Sequence, residues 1–295
     1  MKKIIPLLVL CAAILVQCTK EKKPFTFSVG SFEVTILNDV TAQLDANILI
    51  DATPEMLSKY AANGKFDIAM NAFLVKANGK NILVDSGVGE NLVKNLNDLK
   101  IDPKQIDIVL LTHMHYDHIG GLLKDGLAVF PNAEVYIARQ EHDFWTSAAN
   151  TAKAPAEIRD NFTMAQNVVK AYSSKLHLFT PVKLGSEQDN LFTGIRGIES
   201  FGHTPGHTCY LLESEGEKMM MWGDLAHAMS VQMPNPQVAI TFDHDPKQAV
   251  IARKAILEYV EKNNIPVAGM HIVPPAMGKI SKSAQDGEAY TYKPF

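Results

Sequence analysis

Residues 112–118 read Thr-His-Met-His-Tyr-Asp-His, three histidines and an aspartate within seven positions, directly after the apolar run Ile-Asp-Ile-Val-Leu-Leu. Imidazoles and carboxylates at this density are the donor set of a zinc-type site, whereas a lone histidine reads as a solvated surface residue. In an extended segment side chains alternate between faces, so His113, His115 and Asp117 point one way and Met114 and Tyr116 the other. His118 breaks the alternation. An adjacent Asp-His pair cannot aim at one point from a straight strand, so the chain has to turn there, which suits two neighbouring metal positions better than one. Ile119-Gly120-Gly121 supplies backbone for that turn.

The same residue types recur at three later places: His-Thr-Pro-Gly-His at 203–207, Trp-Gly-Asp ending at Asp224, and Gly-Met-His ending at His271. Each follows an apolar, strand-like run. No Gly-x-Ser-x-Gly is present to suggest a serine nucleophile.

The elements that position these groups are legible in outline. Residues 25–37 alternate around a glycine turn as a hairpin, and Asn78-Gly79 is a two-residue turn between strands, the second running into Asp85-Ser86-Gly87. Residues 90–99 have helical character. Residues 106–112 form a short buried strand that delivers the histidine cluster at its carboxyl end, the usual place for α/β ligand sites. A further strand is expected at 133–138, and a helix over 156–173 with Ile158, Phe162, Ala165, Val168 and Val169 on one face. Strands are also expected around 195–201, 208–213 and 218–222, the methionine run of the last being strand core. Asp245-Pro246 is a helix start, Asp as cap and Pro in the first turn, with Ala249, Val250, Ile256, Leu257 and Val260 as the buried face.

With 295 residues, 46% hydrophobic and 20% charged, the chain can bury a substantial core. A net charge of -4 provides no basic field for a phosphate backbone, so nucleic acid is not an expected partner. Lys2-Lys3 followed by an apolar run from Ile4 to Val16, too short to span a bilayer, reads as a secretory signal. Leu-Val-Gln-Cys at 15–18 resembles a bacterial lipobox with Cys18 as the lipidated residue, although Gln17 departs from the usual small residue and leaves simple signal cleavage open. The organisation expected is a signal at 1–18, a charged tether at 19–24 and one folded domain at 25–295. The mature chain is therefore expected to be exported and lipid-anchored to a bacterial cell envelope, or secreted if Cys18 is not used. Only Cys209 then remains free, so no internal disulfide is available.

Taken in order, T-H-M-H-Y-D-H, F-G-H-T-P-G-H-T, M-W-G-D and A-G-M-H resemble the metallo-β-lactamase-fold hydrolases over nearly the whole chain after the signal. That resemblance implies an α/β fold, a four-layer α-β-β-α sandwich with a dinuclear site between its sheet edges. It implies His113, His115 and His207 at a first metal, Asp117, His118 and His271 at a second, and Asp224 bridging. His203 is expected to be no ligand but to support its turn, and Asp85 to orient a ligand histidine or to stabilise its own turn. Two divalent ions follow, zinc by default with manganese or iron able to take the same set, and a hydroxide shared between them as nucleophile. Asp117 and His227 are the expected catalytic side chains, His227 alternatively capping a helix or packing in the cleft wall. The segments 134–145, 222–232 and 242–246 resemble most closely methyl parathion hydrolase and its lactonase-like relatives. Expected substrates are small molecules: lactones, esters or phosphotriesters. A β-lactamase of the same fold is the alternative, disfavoured by an aspartate at 224 where β-lactamases commonly have cysteine, and a catalytically inactive surface lipoprotein is another. A homodimer is a further expectation.

Overall fold

The structure, a computed structural model, describes residues 24–188, 191–283 and 289–295. The expected signal, Cys18 and all but the last residue of the expected tether lie outside the described residues. Two mixed sheets carry the fold. In the first, β1 (Thr26–Val29), β2 (Phe32–Asp45), β3 (Lys65–Ala77), β4 (Lys80–Val84), β5 (Ile108–Leu110), β6 (Glu134–Ala138) and β7 (Leu176–Phe179) lie side by side in chain order. β1 to β4 pair antiparallel, with tight turns between β1 and β2 and between β3 and β4 and the segment carrying the helix Pro54–Tyr60 between β2 and β3, and β4 to β7 pair parallel through crossovers. The second sheet likewise runs in chain order: β8 (Ile195–Glu199), β9 (Thr208–Ser214), β10 (Glu217–Met221), β11 (Val267–Ala268), β12 (Met277–Lys282) and β13 (Tyr290–Pro294). Its one parallel pair is β10 with β11.

The helices are α1 (Pro54–Tyr60), α2 (Leu92–Asp98), α3 (Tyr116–Ile119), α4 (Arg139–Thr146), α5 (Ala148–Lys153), α6 (Arg159–Ala171), α7 (Met229–Gln232) and α8 (Pro246–Lys262). Strand alternation sorts the core into layers. Phe73, Val75, Ile82, Val84, Ile108 and Leu110 face the second sheet and join Met219 and Met221 there. Their neighbours Ala72, Leu74, Leu83 and Val109 face outward, under Leu92 and Leu96 of α2 and Phe162, Ala165 and Val168 of α6. On the other side α8 contributes Ile256, Leu257 and Val260. The result is the four-layer α-β-β-α sandwich that the motif order implies. Because β5 is buried on both faces, its sequence is a continuous apolar run, as parallel strands require.

Several expectations change in detail. β5 ends at Leu110, so His113 to Asp117 is not an extended strand: His115 sits at the N-cap of α3, and Asp117 and His118 ride its single turn. Helical geometry lets these adjacent residues approach one centre, and it leaves Tyr116 at the surface while Met114 is buried. Ile158 precedes α6 in a short 3-10 turn and is exposed rather than core. Asp245 caps α8 as expected, accepting from the Gln248 backbone N–H at 3.0 Å, but the helix buries Arg253 in a position the hydrophobic pattern gave no reason to expect.

Candidate metal centre

Every candidate ligand leaves the carboxyl end of a strand: His113, His115, Asp117 and His118 after β5, His203 after β8, Asp224 after β10 and His271 after β11. The two sheets bring these ends together. His113 Nε2 lies 3.0 Å from His115 Nδ1, and His203 Nε2 lies 3.0 Å from that same His115 Nδ1. Asp224 Oδ2 is 3.1 Å from His203 Nε2 and 3.5 Å from His113 Nε2. Four nitrogen and oxygen ligands at zinc distance of about 2.0–2.1 Å in a tetrahedron stand roughly 3.3 Å apart, which is the spacing found here. Beside them is a second group. His118 Nε2 lies 3.0 Å from Asp224 Oδ1 and 3.7 Å from Asp117 Oδ2, and His271 Nε2 lies 3.4 Å from Asp117 Oδ2 and 3.0 Å from Asp224 Oδ2. Asp224 thus reaches both groups.

The outer ring nitrogens show that these side chains fit divalent cations. His118 Nδ1 donates to Asp85 Oδ2 at 2.8 Å, His203 Nδ1 to Asp243 Oδ1 at 2.8 Å, and His271 Nδ1 to the Ala69 carbonyl at 2.8 Å. Thr112 Oγ1 donates to Asp85 Oδ2 and so is left to accept from His113 Nδ1 at 3.0 Å. With the outer nitrogens holding the protons, the inner nitrogens present lone pairs that converge. Within the cluster, buried His118 Nε2 and Asp224 Oδ1 have no hydrogen-bond partner.

The electrostatics are split in the same way. Burial would raise the Asp224 carboxyl, but the imidazoles of His118, His271 and His113 outweigh it and hold the group well below the usual carboxylate range. Burial lowers His115 to about 3, reinforced by His203. His203 is driven the other way, to about 9, because Asp224 and Asp243 overcome its burial. Neighbouring imidazoles pushed in opposite directions mark a centre where carboxylates demand positive charge and the rings cannot all supply it.

One expected ligand is displaced. His207 does not enter either group: its Nε2 accepts from the Asp224 backbone N–H at 2.9 Å, and its Nδ1 donates to the Ser200 carbonyl at 3.0 Å. Both nitrogens are spent on the protein, so it serves as a strut beneath Asp224. His203, expected only to support its turn, is the member of H-T-P-G-H that reaches the cluster. The cause is position, since His207 abuts the start of β9 in the interior while His203 lies on the loop that faces the opposite sheet. Asp85 orients His118 as described and also accepts from the Thr112 N–H at 2.8 Å, so its orienting and turn-stabilising roles coincide. His227 stacks on His271 with ring centroids 4.6 Å apart, and its Nε2 lies 3.0 Å from Asp224 Oδ2. Asp243, which orients His203, and Glu141 were missed by sequence reasoning. A single acid inside a helix or turn carries no local signal of burial.

A profile of the Metallo-beta-lactamase superfamily matches residues 68–264, more than half of the chain, from within β3 to just past the end of α8. The chain belongs to the Metallo-beta-lactamase superfamily. Among solved structures, the beta lactamase superfamily hydrolase AbOPH is 32% identical and superposes with a TM-score of 0.82 over 94% of this chain and 99% of that one. AidC, a dizinc quorum-quenching lactonase solved with its product N-hexanoyl-L-homoserine, is 27% identical with a TM-score of 0.79 over 92% of this chain and 97% of that one. Among curated relatives, the atrochrysone carboxyl ACP thioesterase of Passalora fulva is 28% identical over 185 residues, 60% of this chain and 45% of that protein. Ribonuclease TTHA0252 of Thermus thermophilus is 28% identical over 58% of this chain and 38% of its own length. The matches span less than half the length of these two curated relatives. Family and cluster together make this a superfamily member whose His and Asp cluster fits divalent metal ions.

Proposed function

We propose that this superfamily hydrolase holds two divalent ions, zinc by default, and opens uncharged lactones or esters that carry an apolar substituent. The observation that carries this reading is the cavity over the cluster. It has a volume of about 550 Å³ and places His115, Asp117, His203, Asp224, His227 and His271 at the base of a wall built from Leu44, Ile68, Met70, Phe144, Trp145 and Phe242. Among the described residues, no lysine or arginine lines it. A carboxylate-bearing substrate such as a β-lactam acid would find no lysine or arginine in the lining to pair its charge and would have to compete for the ions themselves. The structural likeness to AidC supports the lactone arm.

His113, His115, His203 and Asp224 would hold one ion, and Asp117, His118, His271 and Asp224 the other. Such ions, when bound, make water nucleophilic near neutral pH and polarise the scissile carbonyl. The chain's own side chains do the rest. Burial would raise Asp117, but His118 and His271 hold its carboxyl below the usual value, so it stays ionised at the cavity floor and can take up a proton. Burial depresses His227 to about 4, so its ring is neutral and keeps one N–H. Nε2 lies 3.0 Å from Asp224 Oδ2 on the cavity lining, and its N–H, released from Asp224 once that carboxylate serves the ions, is the proposed donor for the oxygen that gains charge as the carbonyl is attacked. The apolar wall excludes water from the acyl side of the substrate.

Stripped and reloaded protein assayed against lactones, aryl esters, phosphotriesters and a β-lactam tests the reading. Neutral lactones or esters with longer acyl chains should be turned over with the highest kcat/KM. Preference for the anionic β-lactam, or no gain with apolar chain length, would overturn it. Export and lipid anchorage through Cys18 are proposed alongside, on the residues of the amino-terminal segment alone.

A further inference from the structure

We propose that Glu141 is a positioning residue that clamps the two sheets together at one metal position and leaves the other untouched. Glu141 lies in α4, is fully buried, and accepts four hydrogen bonds, all from uncharged donors. Oε1 takes the Met114 backbone N–H at 2.9 Å and the Trp145 indole N–H at 2.6 Å. Oε2 takes the Thr204 hydroxyl at 2.7 Å and the Gly206 backbone N–H at 2.9 Å. The acceptor capacity of a carboxylate is about four sites, so the group is saturated.

These donors are not scattered. Met114 stands between His113 and His115 on the loop after β5, while Thr204 and Gly206 follow His203 on the loop after β8. The first loop belongs to one sheet and the second to the other. A metal position made of His113, His115 and His203 therefore spans the two sheets, and its dimensions depend on how the loops are held relative to each other. Glu141 holds both from a single carboxylate. The approach is close enough that a Cβ at residue 206 would stand 2.2 Å from the Glu141 backbone nitrogen, which requires glycine there. Trp145, held by the same carboxylate, packs its indole edge-on against His115 at 5.5 Å between ring centroids.

The second group is positioned by other means. His118 is set by Asp85 and His271 by the Ala69 carbonyl, and neither touches Glu141. Burying a carboxylate with no cation beside it is expensive unless every lone pair is used, so its place in the interior is explained by what its four donors carry. A residue that merely supported the fold would weaken both metal positions together; Glu141 acts on one. This role rests on the two-ion reading proposed above.

The test is chelator competition for zinc together with the visible spectrum of the cobalt-substituted protein, with His203→Ala as the reference for loss of the first position. Glu141→Gln places an amide N–H against donors that need an acceptor. Residues that orient ligands are worth about 10–100-fold in metal affinity, so Glu141→Gln should lose at least about tenfold at one position and shift the same cobalt bands as His203→Ala. The other position should bind as in the wild type. Thr204→Val, which deletes one of the four donors while keeping shape, should reproduce the shift in weaker form, and Thr204→Ser should restore it. This pair carries the test if Glu141→Gln does not fold. Equal weakening of both positions, or identical behaviour of Thr204→Val and Thr204→Ser, would overturn the clamp. A wild type that takes up one ion would refute the two-ion reading instead, and the clamp would then fall if Glu141→Gln held that ion as tightly as the wild type.

Discussion

Replacing His203 and His207 separately by alanine should give opposite phenotypes, although both histidines belong to one five-residue motif. His203 Nε2 is one of four converging donor atoms, 3.0 Å from His115 Nδ1 and 3.1 Å from Asp224 Oδ2. Losing a residue that only orients a ligand costs about 10–100-fold in metal affinity, so losing the ligand itself should cost at least about 100-fold, or about 2.8 kcal/mol. His207→Ala removes no donor from the cluster. It strips the partner from the buried Asp224 N–H and from Ser200, and it leaves a ring-sized void where the side chain was fully buried. An unsatisfied buried donor and a core truncation together cost about 3–5 kcal/mol. For a chain of this size that lowers the melting temperature by on the order of 10 °C. The assays are zinc stoichiometry and chelator competition on reloaded protein, and thermal unfolding of the stripped forms. His203→Ala should lose an ion with a modest change in melting temperature, and His207→Ala should keep the wild-type metal content in a less stable fold. The converse, His207→Ala emptying a position that His203→Ala retains, would refute the ligand assignment and the geometry behind it.

His227→Ala should keep its metal content and fold while kcat on the best lactone or ester falls at least about tenfold, since one donor to a developing oxyanion is commonly worth more than that; unchanged kcat would return His227 to the cavity wall. At alkaline pH the chain should lose stability through buried groups that do not line the cavity. Burial pushes the Cys209 thiol from 9.0 up to about 12, and the Tyr172 hydroxyl from 10.0 up to about 12. Both folded values lie above the unfolded ones, so their contribution is complete below pH 9 and is lost as pH rises towards 12. The urea midpoint of the folded protein should fall across that window, and a flat profile would contradict it. Cys18→Ser should release the exported protein from membranes in a fractionation assay, and a wild type already soluble in the periplasm or medium would show that Gln17 blocks lipidation.

The sequence by itself reached the parts of the centre whose signal is local. Three histidines and an aspartate in seven residues are dense enough to need explanation, and a buried parallel strand ahead of them is readable because both its faces are apolar. The Asn78-Gly79 turn was legible for the same reason, with both residues at the positive φ that a tight hairpin demands. The Asp245 cap was too, because its partner Gln248 is three residues away. Where the structure corrected the reading, the deciding contacts came from distant segments. His203 and His207 are chemically identical and four residues apart. Which one reaches the cluster depends on Asp224 backbone approaching one of them and Asp243, 40 residues on, orienting the other. The local turn of α3, which replaced the expected alternating strand, is set by β5 ending early against its neighbours rather than by any breaker in the motif. Glu141 and Arg253 look like any surface charge in the sequence. Glu141 is buried because three donors from the loops of two sheets and one from its own helix converge on it, and Arg253 because the carbonyls of Leu225, Pro236 and Val238 need its guanidinium. A residue's type limits what it can bond to, but the partners that make burial of a charge tolerable arrive only when the chain has closed on itself.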